Sequence, residues 1–489
     1  MRILVVGGSG LLGKKLLRIL SFTHNVGGTY FTEPYENCKK LDITDRKAVE
    51  QFITLYQPEV IIHTAAIKNS DFCEENNDTC WKVNVEGTKN IVDVCKEHFI
   101  KLVYISSDYI FDGKRGIYDE QANPAPLNFY GLTKLESERT IKEELADYII
   151  IRPTILYGYN DGSDVTLITK VRTELEKGNV LYLDNQMIKY PLLIDDLVTS
   201  IIAILDANKN GTFHIGGNDP VTRYQWAKKI AEIYDLDKEK ILPCDKSSCG
   251  KHAKRPLNVR LLSTCFNPNV TSLEIGLQYT KMQENCFFKL LYSSSVEERV
   301  LGNNVAIGRV KLSEELGKEE KGVAEIVVPI PRTATTYAVG YSRTSGIPLA
   351  FGIVKKKYTK RTLFDREKER KDQLKNNMVV IEDLVKSKSI ILIDETIFTG
   401  STLDDILPKL RNAKCREIHL RMPAPPVRRK CEAGVHNSDI VLCTTGLSDR
   451  KIKSKFDLDS FRYLSLSKIK KLYPNACCKC FEVEIDACN

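Results

Sequence analysis

The sequence predicts an α/β protein in which a doubly wound parallel sheet is followed by a second, smaller α/β domain. At 489 residues the chain is too long for one ordinary core, so two or three domains are expected. In its first half, short runs rich in β-branched residues alternate with helical stretches, which is typical of parallel strands joined by helices. A second series of the same kind begins near residue 325.

The predicted elements follow one another in this order. The first series has strands at Ile3–Val6, Val60–Thr64, Leu102–Ser106 and Tyr148–Ile151, with helices at Leu11–Leu20, Ala48–Leu55 and Val85–Lys96. The second series has strands at Glu325–Pro329, Ala350–Val354, Ile390–Ile393 and Glu417–Met422. An Asn-rich junction near 267–285 separates them. We therefore expect domains at 1–280 and 286–430, and a helical or irregular tail at 431–489 that packs on the second domain.

The composition narrows the class of protein. Hydrophobic residues make up 42% and charged residues 28%, as in globular proteins, and the net charge of +8 suits anionic small molecules or a solvated surface. No apolar run approaches the ~20 residues that span a bilayer, so we expect a cytoplasmic protein without membrane contact. The charged segment 355–375 mixes acids with its bases and predicts a mobile loop. It offers no aromatic platform, so nucleic acid is not an expected partner.

The first candidate site is a glycine-rich turn. Residues 7–13 read GGSGLLG, directly after a predicted strand and at the start of a predicted helix. Glycines allow the backbone to approach a pyrophosphate, and the helix N-terminus supplies N–H donors. After the second strand the chain reads TYFTE at 29–33. Glu33 stands at about the distance expected of an acid that binds a ribose 2′-OH, but its register is uncertain, and NAD and NADP both remain open.

Three polar residues downstream complete a pattern for redox chemistry. Ser107 ends a predicted strand, and Tyr130 and Lys134 share one helix face at the spacing i, i+4. A nearby ammonium lowers the pKa of a phenol, which can then exchange a proton with a carbonyl or carbinol oxygen. Ser107 would donate a hydrogen bond to that same oxygen.

Residues 1 to about 280 resemble the extended short-chain dehydrogenase/reductases of the dTDP-4-dehydrorhamnose reductase type, a Rossmann-type fold. They resemble almost as closely the regulatory β subunit of methionine adenosyltransferase. The matching motifs include GGSGLLG, LDITD, HTAA, VYISSDYIFDG and PAPLNFYGLTKLESE. The resemblance implies Ser107, Tyr130 and Lys134 as catalytic residues, with Lys134 also holding the nicotinamide ribose. It implies these further cofactor-binding residues: Gly7, Gly10, Leu11, Leu12, Gly13, Asp42, Ile43, Ala65 and Ala66.

A second candidate site lies in the stretch IILIDETIFTGST at 390–402. Four apolar residues predict a buried strand, and Asp394 and Glu395 stand at its carboxyl end. The turn at 396–402 leads into a predicted helix, Leu403–Leu410. Such a turn presents backbone N–H groups and hydroxyls to a phosphate, and the paired acids suit ribose hydroxyls with Mg²⁺ nearby.

This stretch resembles the phosphoribosyl pyrophosphate (PRPP) motif of type I phosphoribosyltransferases. Residues 286 to about 485 resemble the C-terminal part of glutamine phosphoribosylpyrophosphate amidotransferase, through CFFKLLYSS, VVPIPR, GIPLAFGIVKKKYTKRT and MPAPPVRRKC. The resemblance implies Mg²⁺ at Asp394 and Glu395. It implies these PRPP-binding residues: Asp394, Glu395, Thr396, Thr399, Gly400, Ser401 and Thr402, with Lys355, Lys357 and Arg361 in a loop that closes over the ligand.

The second half departs from that family in two ways. The glutaminase domain is absent, so amine transfer would need free ammonia, a separate glutaminase or a different amine. The pyrophosphate loop reads Arg332-Thr333-Ala334, with a cation where the family has an acid. Retention of the acidic pair predicts that a ribose phosphate still binds, whereas turnover is left open.

The chain has 15 cysteines. For scattered ones, such as Cys38, Cys73, Cys80 and Cys95, the expected role is that of small buried hydrophobes. The segment Cys477-Cys478-Lys479-Cys480 has the spacing of a metal-ligand pair. The resemblance implies a 4Fe–4S cluster at Cys286, Cys431, Cys477 and Cys480, with zinc or free core cysteines as the alternatives.

Two functions follow from these observations. The first is an NAD(P)H-dependent reductase of a nucleotide-linked keto sugar, fused to a PRPP-binding phosphoribosyltransferase-like domain without its own glutaminase. The alternative is a non-catalytic regulatory protein that binds NADP and senses PRPP or a nucleotide. Family analogy alone suggests a homo-oligomer.

Overall fold

The structure, a computed structural model, describes residues 1–21, 23–159, 166–244, 253–294, 296, 298–318, 320, 322–331, 333–355, 378–431 and 441–482. The chain divides into two compact units, Met1–Lys281 and Met282–Asn489. Both units are α/β, and the prediction of parallel sheets flanked by helices is confirmed.

The first unit is built on a seven-stranded parallel sheet with the order β11-β7-β5-β4-β1-β2-β3. Shorter strands form two-stranded pairs beside it. The strands of this unit are β1 (Arg2–Val6), β2 (Asn25–Tyr30), β3 (Cys38–Lys40), β4 (Val60–His63), β5 (Lys101–Ile105), β6 (Gly116–Tyr118), β7 (Tyr148–Pro153), β8 (Leu156–Tyr157), β9 (Leu181–Asp184), β10 (Leu192–Leu193), β11 (Gly211–Ile215), β12 (Ile241–Cys244) and β13 (Val259–Leu261).

Helices cover both faces of this sheet. The helices of this unit are α1 (Leu11–Leu20), α2 (Arg46–Tyr56), α3 (Ser70–Glu75), α4 (Asn77–Trp81), α5 (Gly87–His98), α6 (Phe129–Glu144), α7 (Leu167–Glu176), α8 (Ile194–Asp206), α9 (Arg223–Ile233) and α10 (Leu273–Glu284). Of these, α7, α9 and α10 pack around the pair β9 and β12. Because side chains alternate along a strand, Ile3 and Val5 enter the core beneath α1 and α8, whereas Leu4 and Val6 enter the core beneath α2 and α5. The strand β1 is therefore apolar from Ile3 to Val6, as expected of a strand buried on both faces.

The second unit has a four-stranded parallel sheet with the order β16-β19-β20-β21. Its strands are β14 (Arg299–Val300), β15 (Asn303–Asn304), β16 (Ile326–Pro329), β17 (Ile353–Lys355), β18 (Met378–Val380), β19 (Ser389–Ile393), β20 (Glu417–Met422) and β21 (Ser460–Tyr463). Its helices are α11 (Val305–Gly317), α12 (Ala334–Ser345), α13 (Glu382–Val385), α14 (Ser401–Asn412), α15 (Asp449–Lys455) and α16 (Leu466–Leu472).

Three sequence expectations differ from the structure. The segment expected to be a helical or irregular tail supplies β21, because its residues extend the sheet beyond β20. The strand expected at Ala350–Val354 is shifted to β17, which pairs with β18 outside the main sheet. Cys73 and Cys80, expected as separate thiols, form a disulfide because α3 and α4 bring their Cα atoms to 5.3 Å.

None of the helices in the described part of the chain is long and apolar enough to cross a bilayer.

Candidate functional site

A cavity of about 1470 Å³ lies in the first unit, where the carboxyl ends of the sheet strands meet the loops that follow them. In open α/β sheets this edge is where ligands bind. Every residue expected in the first site lines this cavity, namely Gly7, Gly10, Leu11, Leu12, Gly13, Asp42, Ile43, Ala65, Ala66, Ser107, Tyr130 and Lys134. Segments that are more than a hundred residues apart in sequence are thus brought together at one place.

The glycine turn joins β1 to α1 in close contact. Gly7 has φ +89°, and a Cβ on Gly13 would lie 2.2 Å from the Gly7 carbonyl oxygen. A Cβ on Gly10 would meet that oxygen at 3.5 Å, an ordinary contact. Gly7 and Gly13 are therefore required for the turn itself. The first N–H groups of α1 then face the cavity, as an anion site requires.

Ser107, Tyr130 and Lys134 lie at the opposite side of the cavity from β2. The Ser107 hydroxyl accepts the Tyr109 N–H at 3.2 Å and donates to Asp108 at 3.1 Å. Burial raises the pKa of Tyr130, and a hydrogen bond with Ser107 partly opposes that shift. The neighbouring Asp108 carboxylate adds to the upward shift of the Tyr130 pKa. The expected lowering of this pKa by Lys134 stays a prediction.

Lys134 is buried at 3% exposure, with its Nζ 4.2 Å from the centre of the Tyr104 ring. Burial lowers its pKa to about 7, and the Glu138 carboxylate opposes that shift. Glu138 lies one turn further along α6 and is fully buried. It accepts hydrogen bonds from Arg152 Nε at 2.9 Å and Arg152 Nη2 at 2.6 Å, and another from the Ser106 hydroxyl. Glu138 was missed from sequence, although its spacing from Lys134 could have indicated it.

Six further cations line the cavity, and we call them the basic cluster: Lys68, Lys82, Lys170, Lys189, Arg223 and Arg255. All of them come from segments that follow β4 in the chain. Arg255 is held by Asp71, with Nη2 2.6 Å from Oδ2. Sequence reasoning missed this cluster because its members are scattered over nearly 190 positions. Its charge suits an anionic substrate.

The second unit has a cavity of about 330 Å³ at the carboxyl end of β19. Of the residues expected to bind PRPP, those that line it are Lys355, Asp394, Glu395, Thr396, Thr399, Gly400, Ser401 and Thr402. Three further residues lie outside the described ones: Lys357 and Arg361 of the expected loop, and Arg332, the cation that stands where the family has an acid. Thr333 also lines the cavity, whereas Ala334 begins α12.

The acidic pair is buried, with Asp394 at 6% and Glu395 at 7% exposure. Burial and the neighbouring Glu395 charge raise the pKa of Asp394 well above its ordinary value. Gly400 has φ +81°, and a Cβ there would lie 2.9 Å from the Cys443 sulfur, so the turn before α14 requires glycine. The hydroxyls of Thr399 and Ser401 are 2.9 Å apart on this turn.

The four cysteines expected at a cluster converge from distant segments. Cys286 and Cys477 pair across a β-bridge, and the N–H groups of Arg428 and Arg429, just before Cys431, donate to the Cys480 carbonyl. Burial raises the pKa of Cys286 to about 11, and the charges of Cys431 and Cys477 add to that shift. Within the described ranges, no group of three or more Cys, His, Asp or Glu side chains could hold a metal ion. The iron–sulfur cluster therefore stays a prediction.

Comparison with known proteins identifies both halves. Residues 1–274 match the model of the RmlD substrate binding domain, and residues 305–458 match that of the phosphoribosyl transferase domain. "Methionine adenosyltransferase 2 subunit beta" of Pongo abelii is 32% identical over 57% of this chain and 86% of its own length. A "probable low-salt glycan biosynthesis reductase" of Haloferax volcanii is 29% identical over 58% of this chain and 94% of its own.

Solved structures give the same result for the first unit. The dTDP-4-dehydrorhamnose reductase of Bacillus anthracis, solved in complex with NADP, superposes with a TM-score of 0.53 at 28% identity. The match covers 58% of this chain and 99% of that one.

Proposed function

The chain belongs to the family of the RmlD substrate binding domain, and from that premise we propose that its first unit is an NAD(P)H-dependent reductase of a nucleotide-linked keto sugar. The observation that carries the proposal is a single cavity that joins the glycine turn to Ser107, Tyr130 and Lys134. The glycine turn and the α1 N-terminus would hold the pyrophosphate of the dinucleotide. The basic cluster would hold the phosphates of the sugar nucleotide.

The chemistry assigned to the chain is proton transfer and orientation. When bound, the reduced dinucleotide would supply the hydride that adds to the keto carbon. The Tyr130 hydroxyl gives its proton to the carbonyl oxygen, so that an alcohol forms, and Ser107 donates a hydrogen bond to that oxygen. A pKa raised by burial keeps Tyr130 protonated at neutral pH, which suits a proton donor in the direction of reduction.

Steady-state oxidation of NADH and NADPH with a dTDP-4-keto-6-deoxy sugar tests this proposal. We expect turnover that Tyr130→Phe abolishes and that Tyr182→Phe, on an exposed tyrosine of β9, leaves unchanged. Turnover that survives in Tyr130→Phe would contradict the assigned role.

A regulatory protein that binds a dinucleotide without turnover is the second candidate. One observation favours it, the similarity to proteins named as a subunit of methionine adenosyltransferase. Tight dinucleotide binding with no oxidation of NADH or NADPH by any keto sugar would favour this candidate over the reductase.

For the second unit we propose a PRPP site with Mg²⁺. Mg²⁺ is bound by oxygen ligands, commonly one or two carboxylates together with substrate phosphates, and the buried pair Asp394 and Glu395 supplies the two carboxylates. The turn at Thr399–Thr402 would receive the 5-phosphate. Calorimetric titration with PRPP and Mg²⁺ tests the site. Asp394→Asn should weaken binding at least tenfold, whereas Asp405→Asn, on α14 outside the cavity, should not.

We further propose that Cys286, Cys431, Cys477 and Cys480 hold a 4Fe–4S cluster. The support for this proposal is that Cys286 and Cys477 pair across a β-bridge and that the chain just before Cys431 is hydrogen-bonded to the Cys480 carbonyl. A 4Fe–4S cluster is held by four such thiolates, and zinc in the same four thiolates is the alternative. Iron and sulfide analysis of anaerobically purified protein tests this proposal. Cys431→Ser should lose iron and Cys415→Ser should retain it; stoichiometric zinc would contradict the cluster.

A further inference from the structure

We infer that the first unit binds NAD(H) in preference to NADP(H), and that Glu33 sets this preference. The inference rests on the proposed dinucleotide function of the cavity. NAD and NADP differ by one phosphate, on the 2′-oxygen of the adenosine ribose. An acid beside that oxygen accepts a hydrogen bond from the 2′-OH of NAD, whereas a cation is needed to accept the phosphate of NADP.

The fold places the chain after β2 where that ribose must lie. The Gly8 N–H donates to the Thr29 carbonyl at 2.7 Å, and the Leu41 N–H donates to the Tyr30 carbonyl at 2.9 Å. The end of β2 is thus tied to the glycine turn on one side and to the strand β3 on the other. Residues 30–33 and 41–44 both line the cavity here. These pairings hold the Tyr30 end of β2, and Glu33 follows it by three residues and lines the cavity.

Glu33 is an exposed carboxylate at this end of the cavity. The other acid here is Asp42, whose Oδ1 already accepts the N–H of Thr44 at 2.9 Å and its hydroxyl at 2.8 Å. No hydrogen bond or ion pair joins Glu33 to any other residue that the structure describes. Both of its carboxylate oxygens are therefore available as acceptors to a ribose hydroxyl.

The cations that line the cavity do not come from the segments that directly follow β2 and β3. The basic cluster and Lys134 follow β4, which lies on the opposite side of β1 from β2. Among the described residues that line the cavity at 30–33 and 41–44, none is Lys or Arg. Lys14 is the nearby cation on α1, but its Nζ lies over the Tyr35 ring at 4.8 Å and it does not line the cavity.

A 2′-phosphate carries about −1.5 to −2 charges at pH 7 and would be repelled by the Glu33 carboxylate, and none of the lining residues 30–33 and 41–44 is a cation that could offset this repulsion. The ribose 2′-OH of NAD would instead gain a hydrogen bond to a charged acceptor. Such a bond corresponds to roughly tenfold to hundredfold in affinity. The Bacillus anthracis neighbour was solved with NADP, so the inference predicts a difference between this chain and that relative.

Fluorescence titration of the full chain with NADH and with NADPH tests the inference without requiring turnover. We expect NADH to bind at least about tenfold more tightly. Glu33→Arg should equalise or reverse the ratio, and Glu36→Arg, on an exposed residue of the same loop outside the cavity, should leave it unchanged.

The results of this titration distinguish a failure of the NAD(H) preference from a failure of the proposed dinucleotide function. NADPH binding as tightly as NADH, or a ratio that Glu33→Arg does not move, would overturn the inference and leave the proposed reductase intact. Failure of both dinucleotides to bind would overturn the proposed function and the inference with it.

Discussion

Replacing Glu138 by glutamine removes the charge that compensates two buried cations. Glu138 is fully buried and Arg152 is 2% exposed, and they share three hydrogen bonds of 2.6, 2.9 and 3.2 Å. Removing one partner of such a pair leaves the other charge buried without a counterion and lowers the free energy of unfolding by about 3–5 kcal/mol. For a domain of this size each kcal/mol lowers the melting temperature by about 2–4 °C, so we expect a fall on the order of 10 °C.

The melting temperature of the first unit can be followed by tryptophan fluorescence, because both tryptophans of the chain, Trp81 and Trp226, lie in that unit.

The effect of Glu138 on stability depends on pH. Burial raises the pKa of Glu138, but the hydrogen bonds from Arg152 outweigh this effect and hold the pKa below its usual value. The stability that Glu138 contributes is therefore present above its unfolded pKa and is lost as the pH falls.

The control for this change is Glu136→Gln, which removes a surface ion pair with Arg139 on the same helix. Exposed pairs contribute only about 0.2–1 kcal/mol, so this variant should melt within a few degrees of the parent. Equal melting temperatures for the two variants at pH 7 would refute the assigned role of the buried pair.

Three further changes have defined outcomes. Gly13→Ala should abolish NADH binding in a fluorescence titration because its Cβ would lie 2.2 Å from a backbone oxygen, and Gly10→Ala should retain it; equal binding by both would contradict the contact. The reductase turnover should fall as the pH rises through about 7, where buried Lys134 loses its proton, and Lys134→Arg should flatten that pH profile. The pKa of Asp394 in the folded state is raised, so ionisation of Asp394 beside Glu395 destabilises the fold as the pH rises. Asp394→Asn should therefore raise the melting temperature at pH 8 by roughly 2–4 °C for each kcal/mol of repulsion that it removes. This gain should vanish near pH 4, where Asp394 is protonated.

The sequence predicts those parts of the sites that depend on short-range order. The glycine turn is read from seven consecutive residues, and the spacing of Tyr130 and Lys134 is a property of one helix. The Asp394-Glu395 pair likewise stands at the end of one apolar strand. For these residues the strand and helix that flank them determine which edge of the sheet they reach.

The remaining features depend on long-range contacts that no local pattern encodes. The pKa of Tyr130 is raised because the folded chain buries it, and a spacing rule cannot supply that burial. The pairing of Glu138 with Arg152 joins a helix to a strand and requires the tertiary fold. The sequence predicts a helical or irregular tail where β21 lies, because four residues give too weak a strand pattern until β20 lies beside them.

The most direct test of the central claim is transfer of deuterium from NADH labelled at the transferred C4 position to a dTDP-4-keto-6-deoxy sugar, read by mass spectrometry of the reduced sugar. The reductase account predicts one deuterium in the product with the native chain and none with Tyr130→Phe. A chain that binds labelled NADH tightly in the presence of the sugar and yields no labelled product would contradict it, and would assign the first unit a regulatory role.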